Sequence, residues 1–151
     1  MRKCLKWVIP ALLLLISISC KKNGTTDTPP VVVTPDTTKP VISLVDPTAG
    51  LSYALGAAIH LQMDLSDNVE LKSYKVVIAK STKGLQTSDW AYSNTWQLAA
   101  GKKSVAINQS EISIPLTVTG NQTTLGNYDL TITCTDLAGN EASTSVLITL
   151  K

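Results

Sequence analysis

Apolar and polar residues alternate with a period of two along most of the chain beyond Pro40. The pattern is clearest at residues 59–66 and 128–135, where every second position is apolar and the positions between are mostly polar. A β-strand with one buried and one solvated face produces this period. Shorter apolar or alternating runs occur at residues 41–45, 74–78, 95–99, 104–107, 111–118 and 146–150. No stretch of the mature chain shows a period of 3.6 over three turns, so the pattern predicts an all-β protein.

Turn residues separate these runs, among them Asp46-Pro47, Asp67-Asn68 and residues 137–140. Short strands at such intervals are typical of an immunoglobulin-like antiparallel β-sandwich, and we predict one of about seven strands over residues 41–151. The alternation places His60 on the solvated face of its strand and points Cys134 inward.

The N-terminus has a different pattern. Residues 1–6 carry three basic side chains and no acidic one, and residues 7–16 are almost purely apolar. These are the charged and hydrophobic regions of an export signal, and the apolar run is shorter than the roughly 20 residues that span a bilayer. The stretch Leu15-Ile16-Ser17-Ile18-Ser19-Cys20-Lys21-Lys22 resembles the lipobox of bacterial lipoproteins. We expect residues 1–19 to be a lipoprotein signal peptide and Cys20 to carry the acyl chains. An ordinary secretory signal, leaving Cys20 as a plain thiol, is the alternative.

Residues 20–40 contain four prolines and six threonines and read as a linker. Proline favours extended backbone at about 3.1 Å per residue, so twenty residues reach roughly 60 Å. The run Val31–Val33 is more apolar than a spacer requires and is an alternative edge strand.

Charge and cysteine content narrow the functional classes. The chain has 13 basic and 11 acidic residues, and loss of residues 1–19 leaves ten against eleven. A mature chain near neutrality gives no reason to expect nucleic acid as a partner. Of the three cysteines, Cys4 leaves with the signal and Cys20 is acylated, so Cys134 has no partner for an intrachain disulfide.

Three local patterns together resemble an uncharacterised family of immunoglobulin-like domains in Bacteroidetes lipoproteins. They are Asp36-Thr37-Thr38-Lys39-Pro40, Ser66-Asp67-Asn68, and Gly126-Asn127-Tyr128 leading to Thr135-Asp136-Leu137-Ala138-Gly139-Asn140. The resemblance covers residues 36–151 and implies a fold without naming an activity. The Gly-x-Tyr pattern at residues 126–128 also resembles a tyrosine corner, in which the Tyr128 hydroxyl forms a hydrogen bond with nearby backbone.

Catalytic motifs are weak in this sequence. His60 is the only histidine and has no nucleophile in a recognisable pattern, and a buried Cys134 would be packing rather than a nucleophile. There is no phosphate-binding glycine loop. We therefore expect a protein that is not an enzyme, with a hydrolase as the alternative from a different class.

Calcium is the one ion that the sequence suggests, and no other cofactor is expected. In an immunoglobulin-like topology the start of the first strand, the loop after the second and the hairpin after the sixth lie at one pole. That pole collects the oxygen-bearing side chains of Asp36, Asp67, Asn68, Asp136 and Asn140. Hard cations prefer oxygen ligands. Asp and Asn are also ordinary turn residues, which is the alternative.

Aromatic side chains are concentrated in residues 81–103, which hold Trp90, Tyr92 and Trp96. The connection after the third strand lies at the pole opposite the linker, where these rings could meet a partner or stack on a sugar. In the alternative, Trp96 belongs to the core and the other two rings cap it.

These observations predict a lipid-anchored protein of the cell envelope that acts as a non-catalytic binding or structural module. Its partners are the membrane, through Cys20, and an unknown protein or glycan; a carbohydrate-binding accessory lipoprotein is the alternative. Because Lys21 stands where an aspartate retains lipoproteins in the inner membrane, we expect the outer membrane. The sequence leaves its periplasmic or surface face open.

Overall fold

A computed structural model describes residues 34–81 and 86–151, without the side chains of residues 109–111. The predicted signal peptide, Cys20 and Val31–Val33 lie outside the described residues. The described residues contain ten β-strands and no helix. The strands are β1 (Val41–Asp46), β2 (Ser52–Tyr53), β3 (Ala58–Ser66), β4 (Leu71–Lys80), β5 (Tyr92–Gln97), β6 (Ser104–Ser113), β7 (Thr117–Val118), β8 (Asn121–Gln122), β9 (Gly126–Asp136) and β10 (Glu141–Leu150).

The all-β prediction is confirmed, but the described residues contain more strands than the predicted number of about seven. Seven strands have six or more residues, and the other three, β2, β7 and β8, have two residues each. A two-residue strand is too short to show alternation, so hydrophobic periodicity cannot reveal it. No helix in the described residues is long and apolar enough to cross a membrane.

The long strands form two sheets. One has the order β1-β3-β6, and the other has the order β2-β10-β9-β4-β5. Neighbouring strands are antiparallel except for β2, which runs parallel to β10. The short strands β7 and β8 pair with each other. Residues 34–151 form one compact unit.

Some strand boundaries differ from those predicted. The fifth strand is Tyr92–Gln97 rather than residues 95–99, and residues 104–113 form one strand instead of parts of two. Pro115 lies between β6 and β7, where its missing N–H removes no ladder bond. Because the strand ends before Pro115, the alternation expected over residues 111–118 does not continue to the end of that run, and Leu116 is 63% exposed.

The core is filled by the inward residues of both sheets. Strand β3 contributes its four alternating apolar residues and β9 contributes Tyr128, Leu130, Ile132 and Cys134, all at most 1% exposed. These belong to one cluster of buried side chains with residues of β4, β6 and β10. Each large aliphatic side chain buried in this way stabilises the fold by about 1.5–3 kcal/mol. The inward position of Cys134 and the exposed position of His60 are both confirmed.

Candidate metal centre

Three carboxylates meet at one end of the compact unit. Asp36 precedes β1, Asp67 follows β3 and Asp136 ends β9. One carboxylate oxygen from each lies within 4.8 Å of the other two. We call this group the acidic cluster. Its members come from the three segments that the sequence pattern assigned to one pole.

Strand pairing explains why residues so distant in sequence meet. Val41, at the start of β1, pairs with Ser66, at the end of β3. Leu71, at the start of β4, pairs with Asp136. The short connection from β3 to β4 therefore carries Asp67 between the start of β1 and the end of β9.

Asp67 folds this connection into a tight turn. Its Oδ2 accepts hydrogen bonds from the backbone N–H groups of Val69 and Glu70, both at 2.8 Å. Such side-chain acceptance two and three residues along is the reason aspartate favours turns. Its other oxygen, Oδ1, is buried and has no hydrogen-bond partner among the described residues. The turn therefore supplies hydrogen-bond donors to Oδ2 but none to Oδ1.

Asp136 is fully buried, with 0% of its surface exposed. Its Oδ1 accepts the backbone N–H of Asn140 at 2.7 Å, and its Oδ2 accepts the side-chain Nδ2–H of Asn140 at 2.7 Å. Both donors are electrically neutral, so they satisfy hydrogen bonds without compensating the charge. A buried carboxylate is normally paired with a cation or a metal.

Asp36 is tied to the same pole through its side chain and its backbone. Its Oδ1 accepts the backbone N–H of Thr38 at 3.0 Å and the Nδ2–H of Asn68 at 3.1 Å. These two bonds, in that order of size, hold the pKa of Asp36 below its usual 3.8. Its main-chain carbonyl accepts Asn140 Nδ2–H at 3.1 Å. Hydrogen bonds thus connect Asp36, Asn68, Asp136 and Asn140, and Asp67 brings a carboxylate oxygen within 4.8 Å of those of the other two aspartates.

Two features near the cluster were not anticipated from the sequence. Lys103 is close, but its Nζ donates to the main-chain carbonyl of Asn68 at 2.8 Å. Burial raises the pKa of the Cys134 thiol to about 11, and the charges of Asp67 and Asp136 add to that rise. The backbone carbonyl of Asp36 was also missed, because main-chain groups leave no mark on a sequence pattern.

A tyrosine corner stabilises the opposite end of β9. The hydroxyl of Tyr128 donates to the carbonyl of Thr124 at 2.7 Å, which confirms the bond to nearby backbone that the Gly-x-Tyr pattern predicts. The same oxygen accepts the backbone N–H of Trp90 at 3.4 Å. Tyr128 and Asp136 are eight positions apart on one strand, about 27 Å at roughly 3.4 Å per residue.

A family model described as "Domain of unknown function (DUF4625)" matches residues 18–151. The chain belongs to this family. A search of curated proteins finds no match. The match covers nearly the whole chain and includes both the acidic cluster and the tyrosine corner. The description of the DUF4625 family assigns no activity to either of these sites.

In this DUF4625 member the aromatic residues singled out from the sequence are largely covered. Trp90 is 6% exposed, and its ring lies 6.1 Å from that of Tyr128 and 6.3 Å from that of Tyr92. Trp96 stacks on Tyr74 with ring centroids 4.9 Å apart and planes 11° from parallel. Tyr92 and Trp96 are half-buried on β5, at the edge of its sheet. Ligand binding by the three rings stays a prediction, and buried Trp90 has little surface to offer it.

His60 and Cys134 do not come together. His60 is exposed, and its Nε2 lies 3.1 Å from Asn108 Oδ1 on the neighbouring strand. Cys134 is buried in the other sheet. The part of the chain that the structure describes encloses no pocket.

Proposed function

We propose that this protein is a lipid-anchored component of the cell envelope whose folded unit is a non-catalytic binding or structural module. The observation that carries the proposal is Cys20, placed directly after an apolar run and small residues and followed by a Pro- and Thr-rich linker. Two acyl chains hold a protein stably on a membrane, whereas one alone does not. The compact unit begins at residue 34, fourteen residues beyond the proposed acylation site.

We also infer that the folded unit is an immunoglobulin-like sandwich. Two features support this finer description. The seven longer strands divide into β1-β3-β6 and β10-β9-β4-β5, an arrangement in which the first, second and fifth long strands face the others. The tyrosine corner of Tyr128 stands near the start of the sixth long strand, its usual place in such folds.

The anchor is tested by replacing each signal-proximal cysteine in turn. The full chain is expressed in a Gram-negative bacterium that is fed an alkyne-bearing fatty acid, and membranes are separated from soluble protein. Wild type and the control C4S incorporate the label and stay in the outer-membrane fraction. C20S loses both properties. Retention of label in C20S, or loss of label in C4S, would contradict the assignment of Cys20.

Carbohydrate recognition is the second candidate, and the partial exposure of Tyr92 and Trp96 on an edge strand favours it. Sugars bind by stacking on such aromatic faces. A panel of soluble glycans is screened against residues 21–151 by tryptophan fluorescence. Quenching that is lost in W96A but kept in Y53F, whose ring lies on β2, supports this function. No response from any glycan would leave the structural module as the better account.

A further inference from the structure

We propose that the acidic cluster of Asp36, Asp67 and Asp136 binds a calcium ion. The proposal does not depend on the lipid anchor or on a binding role for the aromatic rings. Acidic groups often gather in turns without an ion, so only features that turn formation does not explain point to one. Two such features are present.

The first is the state of the Asp67 carboxylate. Its Oδ2 completes the turn, while its Oδ1 is buried with no hydrogen-bond partner in the described part of the chain. A buried acceptor without a donor costs about 1–3 kcal/mol, and more when it carries charge. A cation beside Oδ1 removes that cost.

The second feature is the charge balance around Asp136. This side chain is fully buried, and one oxygen each of Asp36 and Asp67 lies within 4.8 Å of one of its own. Among the described residues, the donors that reach the three carboxylates are backbone N–H groups and the amides of Asn68 and Asn140, while the nearby Lys103 donates to the Asn68 carbonyl instead of a carboxylate. Neutral donors leave the mutual repulsion of the three charges in place. A divalent ion turns that repulsion into attraction.

The spacing of the oxygens suits calcium. Ca²⁺ binds oxygen at about 2.3–2.6 Å, so ligands on opposite sides of the ion are about 4.6–5.2 Å apart. The three oxygens, all within 4.8 Å of one another, fit around one such ion. Mg²⁺ demands near-ideal octahedral geometry and usually keeps several of its waters, so a site built mainly from protein oxygens favours Ca²⁺. Rotation of the Asn68 or Asn140 amide would present its Oδ1 to the same space and extend the set toward the six to eight ligands that Ca²⁺ takes.

The ion would join three segments that lie far apart in the sequence. Asp36 belongs to the lead-in segment, residues 34–40, and the other two carboxylates follow β3 and end β9. Bound Ca²⁺ would therefore fix the lead-in segment to the folded unit at the point where the chain leaves the linker.

The experiment uses residues 21–151, which retain the whole compact unit and its core, freed of metal with a chelator. Binding is measured by calorimetric titration, and stability by thermal unfolding, each with Ca²⁺ and with Mg²⁺. We expect Ca²⁺ to bind near one equivalent and to raise the unfolding midpoint by about 5–10 °C at a hundredfold excess over its Kd. No heat and no shift with Ca²⁺ would overturn the proposal, and an equal response to Mg²⁺ would overturn calcium as the ion.

The variant D67N separates a metal site from a structural turn. It keeps an oxygen that can accept from Val69 and Glu70 but removes a charge, so we expect Ca²⁺ affinity to fall at least about tenfold. In chelator its midpoint should equal or exceed that of wild type, because a repelling charge has gone. D64N, which changes an exposed aspartate on β3, should bind Ca²⁺ like wild type. A D67N midpoint below wild type in chelator, with unchanged Ca²⁺ binding, would assign the carboxylate to the turn alone.

Discussion

Asn140 Nδ2 donates a hydrogen bond at 3.1 Å to the main-chain carbonyl of Asp36, which precedes it by 104 residues. The same amide nitrogen donates to Asp136 Oδ2 at 2.7 Å. One side chain in the last hairpin therefore links the lead-in segment to the end of β9. The link explains how a segment without strand structure is held against the folded unit.

Replacing Asn140 should loosen this link. N140A removes the donor to the buried Asp136 carboxylate and the donor to the Asp36 carbonyl, so we expect the free energy of unfolding to fall by about 1–3 kcal/mol in chelator. Urea unfolding measures the loss, and hydrogen exchange should show weaker protection at residues 34–40. N121A, in the exposed β8 turn, is the control. Unchanged protection of the lead-in segment in N140A would show that other contacts hold it.

The tyrosine corner should contribute a similar amount to the free energy of unfolding. Y128F leaves the Thr124 carbonyl and the Trp90 N–H without the partner they share, so we expect a loss of about 1–3 kcal/mol. Y92F alters a half-buried ring in the same cluster and should change stability by less than about 0.5 kcal/mol. Equal losses in the two variants, measured by urea unfolding, would mean that the buried hydrogen bonds of Tyr128 contribute no more than the hydroxyl of Tyr92.

Cys134 should be unreactive in the native protein. Its side chain is 0% exposed, so a reagent cannot reach the sulfur in the folded protein. Burial also raises the pKa of the thiol to about 11, so little of the reactive thiolate is present at neutral pH. In residues 21–151 at pH 8, we expect labelling by a chromogenic disulfide to follow the unfolding curve in urea. Rapid labelling without urea would show that the core around β9 opens locally.

Asp89 should make the stability of the protein depend on pH in the acidic range. Its Oδ2 accepts the backbone N–H of Gln86 at 2.7 Å, and this bond is the main reason that its pKa lies below 3.8. A lowered pKa adds stability that is present above pH 3.8 and disappears as pH falls through the lower folded value. We expect D89A to be less stable than wild type at pH 6 and to approach it below pH 3.8. A constant difference across that range would assign the effect of D89A to packing.

Much of the fold follows from alternation alone, since long strands such as β3 and β9 bury every second side chain. The acidic pole also follows, because turn residues mark strand ends and the topology brings those ends together. Burial of Trp90 does not follow, because the ring that packs against it at 6.1 Å and the hydroxyl that accepts its backbone N–H both belong to Tyr128, 38 residues away. The exposure of Leu116 does not follow from alternation either, because the strand ends before Pro115. Tertiary contacts of single side chains carry no periodic signal.

We propose that Cys20 is the first residue of the mature protein and carries its membrane anchor. The most direct test is the mass of the N-terminal peptide of the protein extracted from membranes and cleaved before Asp27. We expect a peptide of residues 20–26 with a diacylglyceryl group on the Cys20 sulfur, with or without a third acyl chain on its amine. A peptide that begins elsewhere, or one with an unmodified Cys20 thiol, would contradict it.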